Sequence, residues 1–473
     1  MAELECEDVQ GYIVSGYVHL PCASYVLLRV ADAKEARNWL GRLSAEITTA
    51  NGKQEGSSIN IAFTRPGLER LGLAFPETLA TFPLSFVEGM ASPYRTQILG
   101  DDGENNPANW EWGGTDEQKT ADILLLLFGA DENALDSLLA RQRSTFGAGG
   151  VVELRALGAG RQPDTHEHFG FNDNITQPAL EGTSAVRRAL PENVIEMGEV
   201  VLSYVNDYGQ PTDSPVVSPE HDPKNMLPNA HLAEGAPPDT PIMRDLGRNG
   251  TYVVFRQMAQ HVADFWNYLD EASRDISGHT DHEASTRLGA KFVGRWPSGA
   301  PLVKAPDGDN PALSNDDDFK YLEADPHGFK CPIGSHIRRS NPRDSLPPNA
   351  KMSLASVNRH RLMRRGRSYG HRAADPRVHD GVERGLHFIC LNADIERQFE
   401  FVQQTWINSP VFGGLCGEVD PLVGHLTKGD EVMTVPGDPL RTRVHNLKRF
   451  ITVKGGAYFF MPGMKALKYL SSL

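Results

Sequence analysis

His336 stands in "CPIGSHIRRSNPR" (residues 331–343), between a Cys-Pro-Ile-Gly run and three arginines. An imidazole so placed can be a core side chain, a metal ligand or a phosphate contact, and the local residues leave all three open. In "HFGFNDNITQP" (168–178), Asp173 lies between two asparagines on a turn signature. That pattern fits a plain Asx-turn or a carboxylate presented for acid–base work. "RLMRRGRSYG" (361–370) carries Arg361, Arg364, Arg365 and Arg367. Read as a strand, its alternation groups Arg364 with Leu362, and Arg365 with Arg361 and Met363. A guanidinium aimed into a core needs an anionic partner, either a protein carboxylate or a ligand.

Other patterns carry less. "GAGGVV" (147–152) and "GAGRQP" (158–163) lack the last glycine of a dinucleotide fingerprint, and there is no P-loop. "DGDNPALSNDDD" (307–318) has Ala312 and Asp318 where a calcium loop needs Gly and Glu, so a solvated acidic loop is expected. "HEH" (166–168) offers only one pair of histidines to a metal.

These residues must be positioned by a chain of 473 residues, long enough for two or three domains. Its formal net charge of -14 argues against a nucleic-acid partner and an anionic membrane surface. Its most apolar run, "ILLLLF" (123–128), is far short of the ~20 residues of a membrane span. The acidic start "MAELECEDVQ" is unlike a signal peptide. Five scattered cysteines with no CxxC pair read as reduced thiols, so a cytoplasmic location is expected.

Strands are expected at 24–30, 58–63, 121–128 and 149–157, with helices at 33–48, 66–73 and 130–146. This is the β-α-β-β-α-β order of a ferredoxin-like module. The order recurs with strands at 250–258, 359–365, 385–393 and 456–463 and helices at 259–273 and 394–408, the last with Ile395, Phe399, Val402 and Trp406 on one face. The fold class expected is α+β, a topological duplication of antiparallel sheets with helices packed on them. The divisions expected are 1–165, a connecting segment 166–197, and 198–473. Pro- and Asp-rich stretches at 205–245 and 300–350 read as long ordered loops of the kind that carry function.

Taken together, these stretches resemble the dye-decolourising peroxidase family over nearly the whole chain. "GFNDNITQP" resembles its distal G-x-x-D-G signature, "CPIGSHIRRSNPR" its proximal histidine segment and "RLMRRGRSYG" its distal arginine strand. "GLHFICLNADIERQFEFVQ" (385–403) resembles the strand and helix lining its haem pocket. The chain departs from the pattern at Asn174, where the signature has glycine, and at Gly366, where some members carry Asn or Ser. Asn is the next-best residue for positive φ, whereas Gly366 implies a missing distal contact or one made by water.

The resemblance implies haem b (iron protoporphyrin IX) in the second module, with His336 as the iron ligand and Asp420, ahead of Glu418, as the acceptor for its other nitrogen. It implies that Asp173 moves the peroxide proton and Arg364 stabilises developing charge. Phe171, Leu386 and Phe388 would wall the pocket, and Arg338, Arg339 and Arg343 are candidates for the propionates. The implied activity is reduction of hydrogen peroxide and oxidation of an organic electron donor such as a dye or phenol, through a ferryl intermediate. Tyr369, Trp296 and Trp406 are candidate surface relays, and an aspartate base implies an acidic optimum. A haem carrier or sensor with little turnover is the alternative, and a homo-oligomer stays open.

Overall fold

The computed structural model describes residues 3–52, 56–232, 235, 237, 239–275, 277–427 and 429–473. Of the stretch expected as a long ordered loop at 205–245, positions 233, 234, 236 and 238 lie outside the described residues.

The first half contributes β1 (Cys22–Val30), β2 (Ser57–Phe63), β3 (Ile123–Gly129) and β4 (Val151–Gly160), all antiparallel, in the order β4-β1-β3-β2. The helices Ala33–Leu43 and Glu132–Phe146 cross between them, each started by an aspartate side chain that accepts a backbone N–H of the first turn. The second half contributes β5 (Thr251–Gln260), β6 (Met363–Arg364), β7 (Arg367–Tyr369), β8 (Gly385–Asn392) and β9 (Ile451–Met461). Here β8 pairs with β6 and β7 on one side and with β5 on the other, and β5 pairs with β9. Both halves thus show the ferredoxin-like order.

Two single bridges, Ser368 with Gly160 and Phe460 with Phe63, join the sheets at both edges. Between them lies one core holding Tyr25, Leu27, Leu124, Leu126 and Phe128 from one sheet and Val253, Phe255, Ile389, Leu391, Phe459 and Met461 from the other. The alternate residues Val26, Leu28, Leu125, Leu127, Val254 and Cys390 pack in a second core with helix residues such as Trp39 and Leu40. Both faces of β3 are therefore covered, which explains its unbroken apolar run.

Three expectations change. The arginine stretch is not one strand: Arg359 caps the helix Ala350–Asn358, and β6 and β7 are separated at residues 365 and 366. A Cβ on Gly366 would lie 2.7 Å from the His387 carbonyl oxygen, so the break passes too close to β8 for any side chain. The helix expected over 394–408 runs as two π-helical pieces, Glu396–Glu400 and Val402–Ile407. That widened winding brings Phe399, Val402, Gln403 and Ile407 to one cavity wall. A C-terminal helix, Met464–Ser471, was not expected; it packs on Ala33–Leu43.

Candidate active site

A cavity of about 320 Å³ opens beside β5 and β8. His336, Asp173, Arg364, Phe171, Leu386 and Phe388 all line it, although they come from four separate stretches of chain. Residues of the first half reach it too, through Leu99, Gly100, Asp101 and Asn105.

His336 opens the short helix His336–Ser340. Its Nδ1 pairs with Asp420 Oδ2 at 2.9 Å, which leaves Nε2 as the free ring nitrogen. Asp420 is fully buried, and its Oδ1 accepts the backbone N–H groups of Leu422 and Val423, both at 2.9 Å. Burial opposes charge on both partners. The carboxylate nonetheless raises the His336 pKa above its ordinary value, and the imidazole holds Asp420 below the usual carboxylate range. Glu418 is engaged elsewhere, accepting from Thr434 N and Oγ1.

Asp173 sits on a turn that Asn174 completes at φ +63°, a left-handed conformation that Asn tolerates better than most residues. Its Oδ1 accepts the Asn174 N–H at 2.6 Å and Arg364 Nη1 at 3.1 Å. Arg364 Nη2 donates to the Thr176 carbonyl at 3.1 Å, and the Arg364 N–H donates to Gln177 Oε1 at 3.2 Å. The guanidinium is thus anchored on both sides of the turn. Phe171 packs among Phe265 and Trp266, and Leu386 and Phe388 complete the apolar wall from β8.

The expected cation set needs correction. Arg338 does not line the cavity: it is buried against Asp325, donates to Asp325 and to the Cys331 carbonyl, and lies over Tyr321. Arg339 is fully buried and donates to the carbonyls of Gly334, Trp406, Ser409 and Glu418. Both tie the scaffold together, because backbone carbonyls and a carboxylate within reach satisfy their donors. Arg343 does line the cavity. It pairs with Asp317, which also pairs with Arg295 at 3.1 Å. The acidic stretch 307–318 is therefore not simply solvated: Asp317 is a largely buried anion holding two cavity arginines.

Sequence reasoning missed Arg361, Arg256, Arg449 and Glu167, all on the cavity wall. Arg361 donates to Asn193 Oδ1 at 2.9 Å, and burial pulls its pKa down to about 10. Strand alternation groups it with Arg365, which instead donates to the carbonyls of Tyr12 and Ile13. Of the HEH pair, His166 turns to Asp164 and His168 to the Tyr369 carbonyl, and no cluster of metal-binding side chains occurs among the described residues. Trp296 is buried and donates to the Ala305 carbonyl; Trp406 is buried beside Phe401 and His360; Tyr369 is half-buried and stacks on His387.

The donor set fits a haem. One imidazole has Nδ1 held by an anion and Nε2 free, apolar side chains form much of the wall, and the guanidinium groups of Arg343 and Arg361 stand on it.

Comparison with known proteins agrees. Residues 242–413 match the model of the Dyp-type peroxidase C-terminal family. The chain is 31% identical to a dye-decolorizing peroxidase of Mycena epipterygia, over 88% of this chain and 76% of that one. It is 30% identical to a multifunctional dye peroxidase of an Amycolatopsis species, over 98% and 95%. An ancestral D-type dye decolorizing peroxidase superposes with a TM-score of 0.77 at 26% identity, covering 99% of both chains. The Auricularia auricula-judae enzyme gives 0.76 at 25%, covering both chains fully. The chain belongs to the dye-decolorizing peroxidase family, whose members are haem-dependent oxidoreductases.

Proposed function

We propose that this peroxidase binds haem b in the cavity, with His336 Nε2 as the iron ligand, and reduces hydrogen peroxide at the expense of an organic donor such as a phenol or dye. The observation that carries this is one cavity lined both by His336, backed by the buried Asp420, and by the Asp173–Arg364 pair. Haem iron bound there supplies two-electron reduction of peroxide and one-electron oxidation of donors.

The chain's own residues do the rest. Asp420 accepts the Nδ1 proton of His336, fixing the tautomer that leaves Nε2 unprotonated for metal. Asp173 takes the proton from the inner peroxide oxygen and returns it to the outer one, so that water leaves. Arg364 offers fixed donors to the charge that develops as the O–O bond breaks, and it is held in place by Asp173 and Thr176. Arg343 and Arg361, which line the cavity where Arg338 and Arg339 do not, would be the cations available to the propionates. Phe171, Leu386 and Phe388 exclude water. All five cysteines are free thiols, which supports a reducing, cytoplasmic location. No helix among the described residues is long and apolar enough to cross a membrane.

The test is a visible absorption titration of the purified chain with haem. The wild type is expected to give a Soret band that His336→Ala loses. Asp173→Asn is expected to keep the band while peroxidase turnover falls by about 10²–10⁴, the range of a positioned acid–base group. A Soret band indifferent to His336→Ala refutes the ligand, and full turnover in Asp173→Asn refutes the base.

A further inference from the structure

We propose that Glu167, with Gln260, is a proton relay that reloads Asp173 from the side opening between residues 160–166 and 366–368. The inference rests on the peroxidase reading above and adds a supporting residue that acts through Asp173.

Glu167 lines both the main cavity and a smaller one bounded by Gly160, Arg161, Thr165, His166, Gly366 and Ser368. Asp173, Asn174 and Leu386 are shared by the two, so Glu167 and Asp173 stand together where the small opening meets the large cavity. The Glu167 carboxylate accepts the N–H groups of Phe169 at 2.8 Å and Phe171 at 2.9 Å, and Gln260 Nε2 at 2.6 Å. A carboxylate has about four lone-pair sites, so one remains for an incoming proton.

The second observation concerns Gln260. Its amide oxygen is buried and has no hydrogen-bond partner among the described residues, although its amide nitrogen is bonded to Glu167. A buried acceptor without a partner calls for an explanation. Turning the amide over presents that oxygen to the hydroxyl of protonated Glu167. The same two side chains therefore satisfy either protonation state: amide N–H to carboxylate, or carboxylic O–H to amide oxygen.

Burial lifts the Glu167 pKa to about 6 against its three donors, with Asp173 adding to the rise. Asp173, His166 and His168 stand on its own segment, Arg161 and Arg367 share the small cavity with it, Arg364 and Arg256 line the main cavity with it, and Arg372 and Arg384 stand beside His168. Burial keeps His168 neutral, with a pKa near 4, so it does not compete for the proton.

The balance is that of the overall reaction: hydrogen peroxide plus two donor molecules gives two waters and two oxidised donor radicals. The donors release two electrons and two protons. The second peroxide oxygen takes up both, and the protons released outside must cross to it. Glu167 takes a proton from solvent in the side opening and passes it through the cavity to Asp173. A group protonated below about pH 6 makes that supply faster on the acid side.

Two measurements test this. The first is infrared titration of the whole chain without haem, which is independent of the peroxidase reading. A carboxylic C=O band is expected to appear with a midpoint near 6, to vanish in Glu167→Gln, and to shift in Gln260→Leu. The second is the donor-saturated return to the resting spectrum in the haem-loaded enzyme. Glu167→Gln should slow it about tenfold, below the effect of a direct acid–base group, and should flatten its pH profile between 5 and 7. Glu167→Asp should restore part of that profile. Absence of a titrating carboxyl in the wild type overturns the relay even if Glu167→Gln does not fold. An unchanged pH profile in a folded Glu167→Gln overturns it as well.

Discussion

Replacing Asp420 with Asn tests the proximal side most directly. Asp420 accepts three hydrogen bonds, from His336 Nδ1, Leu422 N and Val423 N, each at 2.9 Å. Asn keeps a carbonyl oxygen for the two backbone donors but turns an N–H toward His336. Two N–H groups cannot share that contact, so the imidazole proton is driven to Nε2, the nitrogen the iron requires. Loss of such a partner typically weakens metal binding about 10–100-fold, or about 1.4–2.7 kcal/mol. Haem titration of the apo chain, followed at the Soret band, reads this directly. Asp420→Ala separates affinity from folding, because it also strands the Leu422 and Val423 N–H groups, at roughly 1–3 kcal/mol each. Asp420→Asn should therefore melt close to wild type without haem, and Asp420→Ala clearly lower. Haem affinity within about twofold of wild type in Asp420→Asn would refute the tautomer argument.

Arg364→Lys should keep haem but lose about 10²–10³ in turnover, because an ammonium cannot hold both Asp173 and Thr176 while facing peroxide; steady-state rates at matched haem content check it. Gly366→Ala should destabilise the chain by about 1–3 kcal/mol, since its Cβ would fall 2.7 Å from the His387 carbonyl oxygen; denaturant unfolding measures the loss. Asp270 concerns the loop before β8. Burial opposes its ionisation, but Arg377, Ser285 and His282 bring its pKa down to about 2. A depressed carboxylate stabilises the fold above its unfolded pKa of about 4, and that contribution is lost as pH falls toward 2. Asp270→Asn should thus lower stability at pH 7, by at most about 1 kcal/mol for a partly exposed pair, and leave it unchanged near pH 2. Melting curves at the two pH values decide it.

Local chemistry was legible in the sequence wherever a few neighbouring residues decide the outcome. Alternation and helical spacing set out both ferredoxin-like modules, because strand and helix periods are written into consecutive residues. The turn at Asp173 was legible for the same reason: Asn174 tolerates the left-handed backbone that closes it. Only the tertiary structure decided which charges meet. His336 and Asp420 are 84 residues apart, and Asp173 and Arg364 are 191 apart. No local pattern distinguishes Arg338 and Arg339, which lie behind the cavity wall, from Arg343 and Arg361, which stand on it. An arginine's role depends on the acceptors that folding brings within 3 Å of it, and those come from distant segments. The same holds for Glu167, read in sequence only as the residue between two histidines. Its burial, its three donors and the partnerless amide oxygen of Gln260 exist only once β5 is packed against the turn.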